Sequence, residues 1–142
     1  MILKTKISVL SLFICLVGVF KLSAQCPTDN CSHKLGDFTF IKSVSIDPGK
    51  VEGKPYQYSY LFSKGSTYMI LICDQSIKGS RLIVNLYDAS RKLIATNHNK
   101  KKIYESLTFP CNSTGIYYIE SFYEGNKDAC GVNILGFTKT AN

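Results

Sequence analysis

The chain has 142 residues, 45% of them hydrophobic and 19% charged, with a formal net charge of +7 and six cysteines. That length suits one domain, and the composition excludes a largely disordered chain. It also falls short of the roughly 250 residues that a β/α barrel takes.

The N-terminus changes two of those totals. Lys4 and Lys6 precede an apolar run from Ile7 to Phe20 that only Ser8 and Ser11 interrupt, and small residues Ser23 and Ala24 follow. This is the order of a secretory signal peptide. The run is shorter than the roughly 18 residues that span a bilayer. Cleavage after Ala24 divides the chain into a signal peptide (1–24), a cysteine-containing lead-in (25–37) and a body (38–142). The expected location is outside the cytoplasm: periplasm, cell surface or beyond. Leu22-Ser23-Ala24-Gln25-Cys26 approaches a bacterial lipobox, but Gln25 stands where a small residue belongs. Membrane attachment is therefore expected only if Cys26 carries a lipid.

Losing Lys4, Lys6 and Lys21 takes the charge from +7 to +4 over 118 residues, too little to argue for nucleic acid. Cys15 leaves as well. Cys26, Cys31, Cys73, Cys111 and Cys130 remain as disulfide candidates in an oxidising compartment. Five is odd, so one sulfur is left over, and Cys26 is the leading suspect. Pairing within Cys73, Cys111 and Cys130 is favoured because they lie in the strand-rich body; Cys26 and Cys31 would then close a small loop. His33 and His98 are the only histidines and there is no second close cysteine pair, so neither a zinc site nor another cofactor is expected.

Period-two alternation dominates the body. Phe38 to Ile46 places Phe38, Phe40, Lys42, Val44 and Ile46 on one face, and Asp47-Pro48-Gly49-Lys50 turns the chain. Tyr56 to Phe62 alternates Tyr56, Tyr58, Tyr60 and Phe62. Ser63-Lys64-Gly65-Ser66 is a turn, and Thr67 to Cys73 is almost wholly apolar. Arg81 to Tyr87 alternates Leu82, Val84 and Leu86; Asp88-Ala89-Ser90-Arg91 turns into Lys92 to Thr96. Asn97 to Lys102 reads as a polar loop tip. Tyr104 to Phe109, Ile116 to Tyr123 and Gly131 to Thr138 complete about eight antiparallel strands without a helix. That spacing predicts an all-β fold, a β-sandwich or jelly roll.

Several of these segments carry a family pattern. Tyr-x-Tyr-x-Tyr-Leu-Phe (56–62) runs into Ser-Lys-Gly-Ser-Thr-Tyr (63–68). Leu-Ile-Val-Asn-Leu-Tyr-Asp (82–88) comes next, and Ser-Thr-Gly-Ile-Tyr-Tyr-Ile (113–119) follows. From Tyr56 to Phe137 the chain resembles the bacterial pre-peptidase C-terminal domain. The resemblance implies a non-catalytic jelly-roll-like module, of a kind commonly appended to secreted proteases, with collagen- and calcium-binding relatives. Lys78-Gly79-Ser80-Arg81 stands where the family often has paired acids, and calcium is not expected. Gly65 and Gly115 sit at turns that favour positive φ, and Asp88 can accept backbone N–H groups.

Two surface features are candidates for ligand binding. The stripe Tyr56, Tyr58, Tyr60 is a glycan or peptide platform if exposed and half of the core if buried, the core being favoured. On the other strand pattern, Tyr117 and Ile119 bury while Tyr118 faces outward, or the reverse. Lys100, Lys101 and Lys102, with Arg91 and Lys92 nearby in sequence, form either a basic patch for acidic glycans or lipid headgroups or a solvated hairpin tip, the tip being favoured. No Gly-x-Ser-x-Gly elbow or other catalytic constellation is present. The expected function is a secreted, non-catalytic binding or structural subunit docking on a protein partner of the cell envelope. The alternative is an extracellular glycan- or matrix-protein-binding domain.

Overall fold

The period-two runs pair as two sheets, and alternation decides what lies between them. The computed structural model describes residues 31–47, 54–74, 81–125 and 130–139. A short 3-10 helix (Ser32–Leu35) leads into β1 (Thr39–Ile46), β2 (Tyr56–Phe62), β3 (Ser66–Asp74), β4 (Arg81–Tyr87) and β5 (Leu93–Thr96). Then come β6 (His98–Asn99), β7 (Lys102–Ile103), β8 (Ser106–Cys111), β9 (Gly115–Glu124) and β10 (Gly131–Lys139). One sheet has the order β1-β10-β3-β8 and the other β2-β9-β4-β5; β6 and β7 form a separate hairpin. Every pairing is antiparallel. The chain crosses repeatedly between sheets, which is a jelly roll. The all-β sandwich expected from the sequence is the fold observed.

The core lies between the sheets. Val44, Ile46, Tyr68, Ile70, Ile72, Leu107, Cys111 and Leu135 meet Phe62, Leu82, Val84, Leu86, Tyr117 and Ile119. Phe62 stacks on Tyr68 across the sandwich, with ring centroids 3.8 Å apart, and on Tyr117 beside it at 4.7 Å. The apolar run Tyr68 to Cys73 of β3 also feeds a second layer. The outward residues Leu71 and Cys73 of β3 join Val132 and Ile134 of β10 beneath Leu35 of the lead-in. Gly136 makes room for that crossing, since a Cβ there would lie 2.7 Å from Leu35 Cδ2 and 3.1 Å from the Thr39 carbonyl.

The structure departs from the sequence pattern at several points. A bulge between Phe40 and Lys42 breaks the first stripe, so Phe40 is exposed and Ile41 packs against the core instead. The lead-in contains a helical turn, where Leu35 must reach back to the sheet. Asn97 is no loop tip. It is 1% exposed, its Oδ1 accepts the Val84 N–H at 2.8 Å, and its Nδ2 donates to the carbonyls of Leu82 and Tyr104. It completes hydrogen bonding where β5 ends, and the β6–β7 hairpin projects beyond it. Gly65 takes φ +80 as the turn requires, whereas Gly115 is not among the positive-φ residues.

The cysteine pairing also differs. Cys31 bonds to Cys73, with Cα atoms 5.9 Å apart. Cys111 is a free, buried thiol, and Cys130 is disulfide-bonded to a partner outside the described residues. The reason is facial. Cys73 points outward from β3 toward the lead-in, while Cys111 points inward at the far end of the neighbouring strand, opposite Ser66. No bridge can join opposite faces of one sheet over that distance. Cys26, the signal segment and its cleavage point lie outside the described residues. The disulfide bonds point to an oxidising compartment. Among the described residues no helix is long and apolar enough to cross a membrane.

Candidate functional site

Parity along β2 decides the fate of the tyrosine stripe. Tyr58 and Tyr60 lean inward and pack against the core, in line with the buried Phe62. The Lys42 ammonium lies 5.0 Å from the Tyr58 ring centroid, and burial pushes the Tyr58 hydroxyl well above its ordinary pKa. Tyr56 is 38% exposed at the sandwich mouth, tilted against Tyr58. The stripe is therefore core with one exposed end. Lys100, Lys101 and Lys102 are exposed on the β6–β7 hairpin, and the Lys102 ammonium sits 4.9 Å from the Tyr104 ring. The two candidate groups are not brought together as a single surface.

The outer face of the β2-β9-β4-β5 sheet carries the surface chemistry instead. Register sets its rows. Leu61 pairs with Ile116. The next row runs Ser59, Tyr118, Tyr87, Leu93 across all four strands. The row beyond runs Gln57, Glu120, Asn85, Thr96. Leu61, Ile116 and Leu93 are each about half exposed, at 58%, 49% and 48%. An aliphatic and aromatic band thus borders a row of amides, a hydroxyl and a carboxylate.

Side-chain bonds lock the two rows together. The Tyr87 hydroxyl donates to Glu120 Oε1 at 3.2 Å and accepts from Asn85 Nδ2 at 3.3 Å. Desolvation raises the Tyr87 hydroxyl above its ordinary pKa; the Asn85 bond opposes that rise, and the charge of Glu120 adds to it. The phenol therefore stays protonated and keeps donating. Arg91, on the β4–β5 turn, lays its guanidinium 3.5 Å from the centroid of Tyr118. Asp88 shapes that turn as expected: its Oδ1 accepts the Ser90 and Lys92 N–H groups and the Ser90 hydroxyl. The Ser90 hydroxyl, then the Lys92 amide, hold its carboxyl below the usual range.

Polar groups in the interior do structural work. Asn133 of β10 and Ser121 of β9, both 0% exposed, bridge the two sheets through Asn133 Nδ2 and Ser121 Oγ at 2.5 Å. The Tyr123 hydroxyl sits against Gly131, and burial, followed by the charges of Asp74 and Asp47, pushes it far up. Cys111 is 3.9 Å from the Tyr117 hydroxyl, and that hydroxyl donates to the Ser113 carbonyl. Among the described residues no three His, Cys, Asp or Glu side chains converge on a point that would hold a metal ion.

Sequence reasoning missed Tyr87, Tyr118, Glu120, Asn85 and Arg91 as a group. Their signal was the complement of the pattern that was followed: the residues between the inward positions of β4 and β9. Only strand register joins them.

No family model matches the chain, and no curated protein matches it. Among solved structures it is similar to a chain described as "Glycosylation Associate Protein (Gap123) complex" from Streptococcus agalactiae, at 17% identity and a TM-score of 0.41. The alignment covers 76% of this chain and 41% of that one, so the chain spans less than half the length of this neighbour.

Proposed function

We propose that the protein is an exported, non-catalytic jelly-roll module that binds an extracellular glycan on the outer face of its β2-β9-β4-β5 sheet. One observation carries the reading: the Tyr87–Glu120–Asn85 network sits beside Tyr118 on a sheet face that also exposes Leu61, Ile116 and Leu93. Aromatic rings cover the apolar faces of sugars, and fixed amides and carboxylates bond their hydroxyls. The resemblance to the pre-peptidase C-terminal domain supports the same non-catalytic reading. So does the placement of Cys111, whose thiol is buried against Tyr117 and Ser113 where no substrate can meet it.

Cleavage after Ala24 would fit the cysteine arithmetic. Cys31 and Cys73 pair, Cys111 is free, and Cys130 is bonded; once the signal and its Cys15 are removed, Cys26 is the cysteine that remains, and we propose it as the partner of Cys130. That pairing leaves no thiol there for a lipid. Intact mass of the exported protein tests it: a chain beginning at Gln25 with one free thiol is expected, and a diacylglyceryl mass on Cys26 contradicts it.

A second reading rests on the exposed Leu61–Ile116 pair at the β2 edge. It makes the module a subunit docked on a larger cell-envelope or secretion protein. The two separate in one experiment. The protein is immobilised and exposed to envelope extract and to a panel of soluble polysaccharides. Retention of polysaccharide, lost with Tyr118→Ala, supports the glycan reading. A stoichiometric protein partner, lost with Leu61→Ser, supports docking and overturns the glycan reading if no polysaccharide is held.

A further inference from the structure

We propose that the glycan is acidic, its carboxylates separated by neutral sugars, and that Arg91 reads one carboxylate at the turn end of the open sheet face. This inference rests on the glycan reading above and adds the ligand's charge and the residue that selects it.

Arg91 holds a conformation that its own chemistry disfavours. Its φ is +66, in the left-handed region that a Cβ makes unfavourable and a glycine enters freely. The turn enforces it. The Arg91 N–H donates to the Asp88 carbonyl, the Asp88 N–H to the Lys92 carbonyl, and Asp88 Oδ1 takes three further donors. Strain of this kind persists where surroundings over-determine the residue, and it points to a use for the side chain. A glycine would build the same turn with less strain; arginine adds the guanidinium.

That guanidinium is set before any ligand arrives. Its central carbon lies 3.5 Å from the Tyr118 ring centroid, a cation–π contact that holds the group over the ring, and the guanidinium carries N–H donors around its edge. Those donors match a carboxylate in a two-point contact. The ion pair found among the described residues is Lys34–Glu105, at another part of the fold, so Arg91 has no carboxylate within pairing distance among those residues. Asp88, its nearest acid in sequence, is engaged by the turn. Exposed Lys92 shares that turn, and exposed Lys64 lies at the neighbouring one, where its N–H donates to Thr114 Oγ1. This end of the face is cationic and fits an anion.

Glu120 defines the rest of the ligand. It lies one row away, bonded to Tyr87, and repels a second carboxylate placed beside the first. The row Gln57, Glu120, Asn85, Thr96 offers donors and acceptors suited to hydroxyls. A chain in which acidic and neutral sugars alternate satisfies both rows. A polyanion charged at every residue does not.

Hyaluronan oligosaccharides are a suitable probe, with N-acetylglucosamine oligomers as the neutral comparison and poly-L-glutamate as an acidic peptide. Titration calorimetry is expected to show hyaluronan binding that weakens about tenfold or more in Arg91→Gly and Arg91→Gln, the loss of one charge-assisted contact. The triple variant Lys100→Gln, Lys101→Gln, Lys102→Gln should bind as the parent does. Arg91→Gly should also melt at the same or a higher temperature, which an arginine serving only the scaffold would not allow. Equal binding of the neutral oligomer, unaffected by Arg91→Gly, overturns the carboxylate assignment and leaves the glycan reading standing. Binding of neither sugar removes both. Preference for poly-L-glutamate, or a lower melting temperature with unchanged binding in Arg91→Gly, also overturns the assignment.

Discussion

The two outer faces of the sandwich are built on the same alternation and end differently. On the β1-β10-β3-β8 sheet, outward Leu71, Val132 and Ile134 lie beneath Leu35 of the lead-in and Phe38 just after it. The Cys31–Cys73 bond ties that cover down, and Lys34 pairs with Glu105 at 2.8 Å beside it. On the β2-β9-β4-β5 sheet, outward Leu61, Ile116 and Leu93 stay about half exposed, and Tyr87 and Tyr118 are linked to polar and cationic neighbours. The first face turns apolar surface into stability. The second keeps it exposed among bonded polar groups, as recognition surfaces do. On the proposed reading, stability and binding fall on opposite sides of one core, and substitutions should separate them.

The shared core sets the largest effect. Phe62→Ala removes a fully buried ring stacked on Tyr68 and Tyr117, and should lower unfolding free energy by about 3–5 kcal/mol in urea denaturation. Next comes the tether of the closed face. Cys31→Ser with Cys73→Ser opens a bond spanning 42 residues and should cost about 2–4 kcal/mol, with glycan binding unchanged in the folded protein. Leu35→Ala uncovers part of the same face and should cost about 2 kcal/mol, again without touching binding. On the open face the pattern reverses: Tyr118→Ala should change stability by about 1 kcal/mol or less and abolish most binding. A Leu35→Ala that weakens binding as strongly as Tyr118→Ala would break the division.

The smallest effect concerns pH. The folded Asp88 carboxyl titrates below its unfolded value, so its stabilisation is complete above the unfolded pKa. It drains away as pH falls through the lower folded one. Asp88→Asn keeps an acceptor and loses the titration, so its melting temperature should fall less steeply with acid than the parent's.

Local pattern and long-range register were legible to different degrees. Strand limits follow closely from alternation and turn residues: Tyr56–Phe62 and Arg81–Tyr87 appear as the sequence marks them. Which face of a strand meets a partner is not local. Tyr58 and Tyr118 belong to adjacent strands with similar composition, yet one faces the core and the other faces out, because Tyr58 pairs with Ile119 and Tyr118 with Ser59. The bulge at Ile41 inverts one stripe without a glycine to mark it. Disulfide pairing fails for the same reason, since Cys73 and Cys111 lie on opposite faces of neighbouring strands. Asn97 is polar and so reads as exposed; its burial is possible only because two backbone groups of β4 and the Tyr104 carbonyl just past β7 meet its amide.

Titration of the isotopically labelled, exported protein with hyaluronan oligosaccharides, followed by backbone amide shifts, tests the division of faces most directly. The account predicts shifts concentrated at Gln57, Ser59, Tyr87, Arg91, Tyr118 and Glu120, with Leu71, Val132 and Ile134 unmoved. Shifts centred on the lead-in and the β1-β10-β3-β8 face, or none at saturating oligosaccharide, would contradict it.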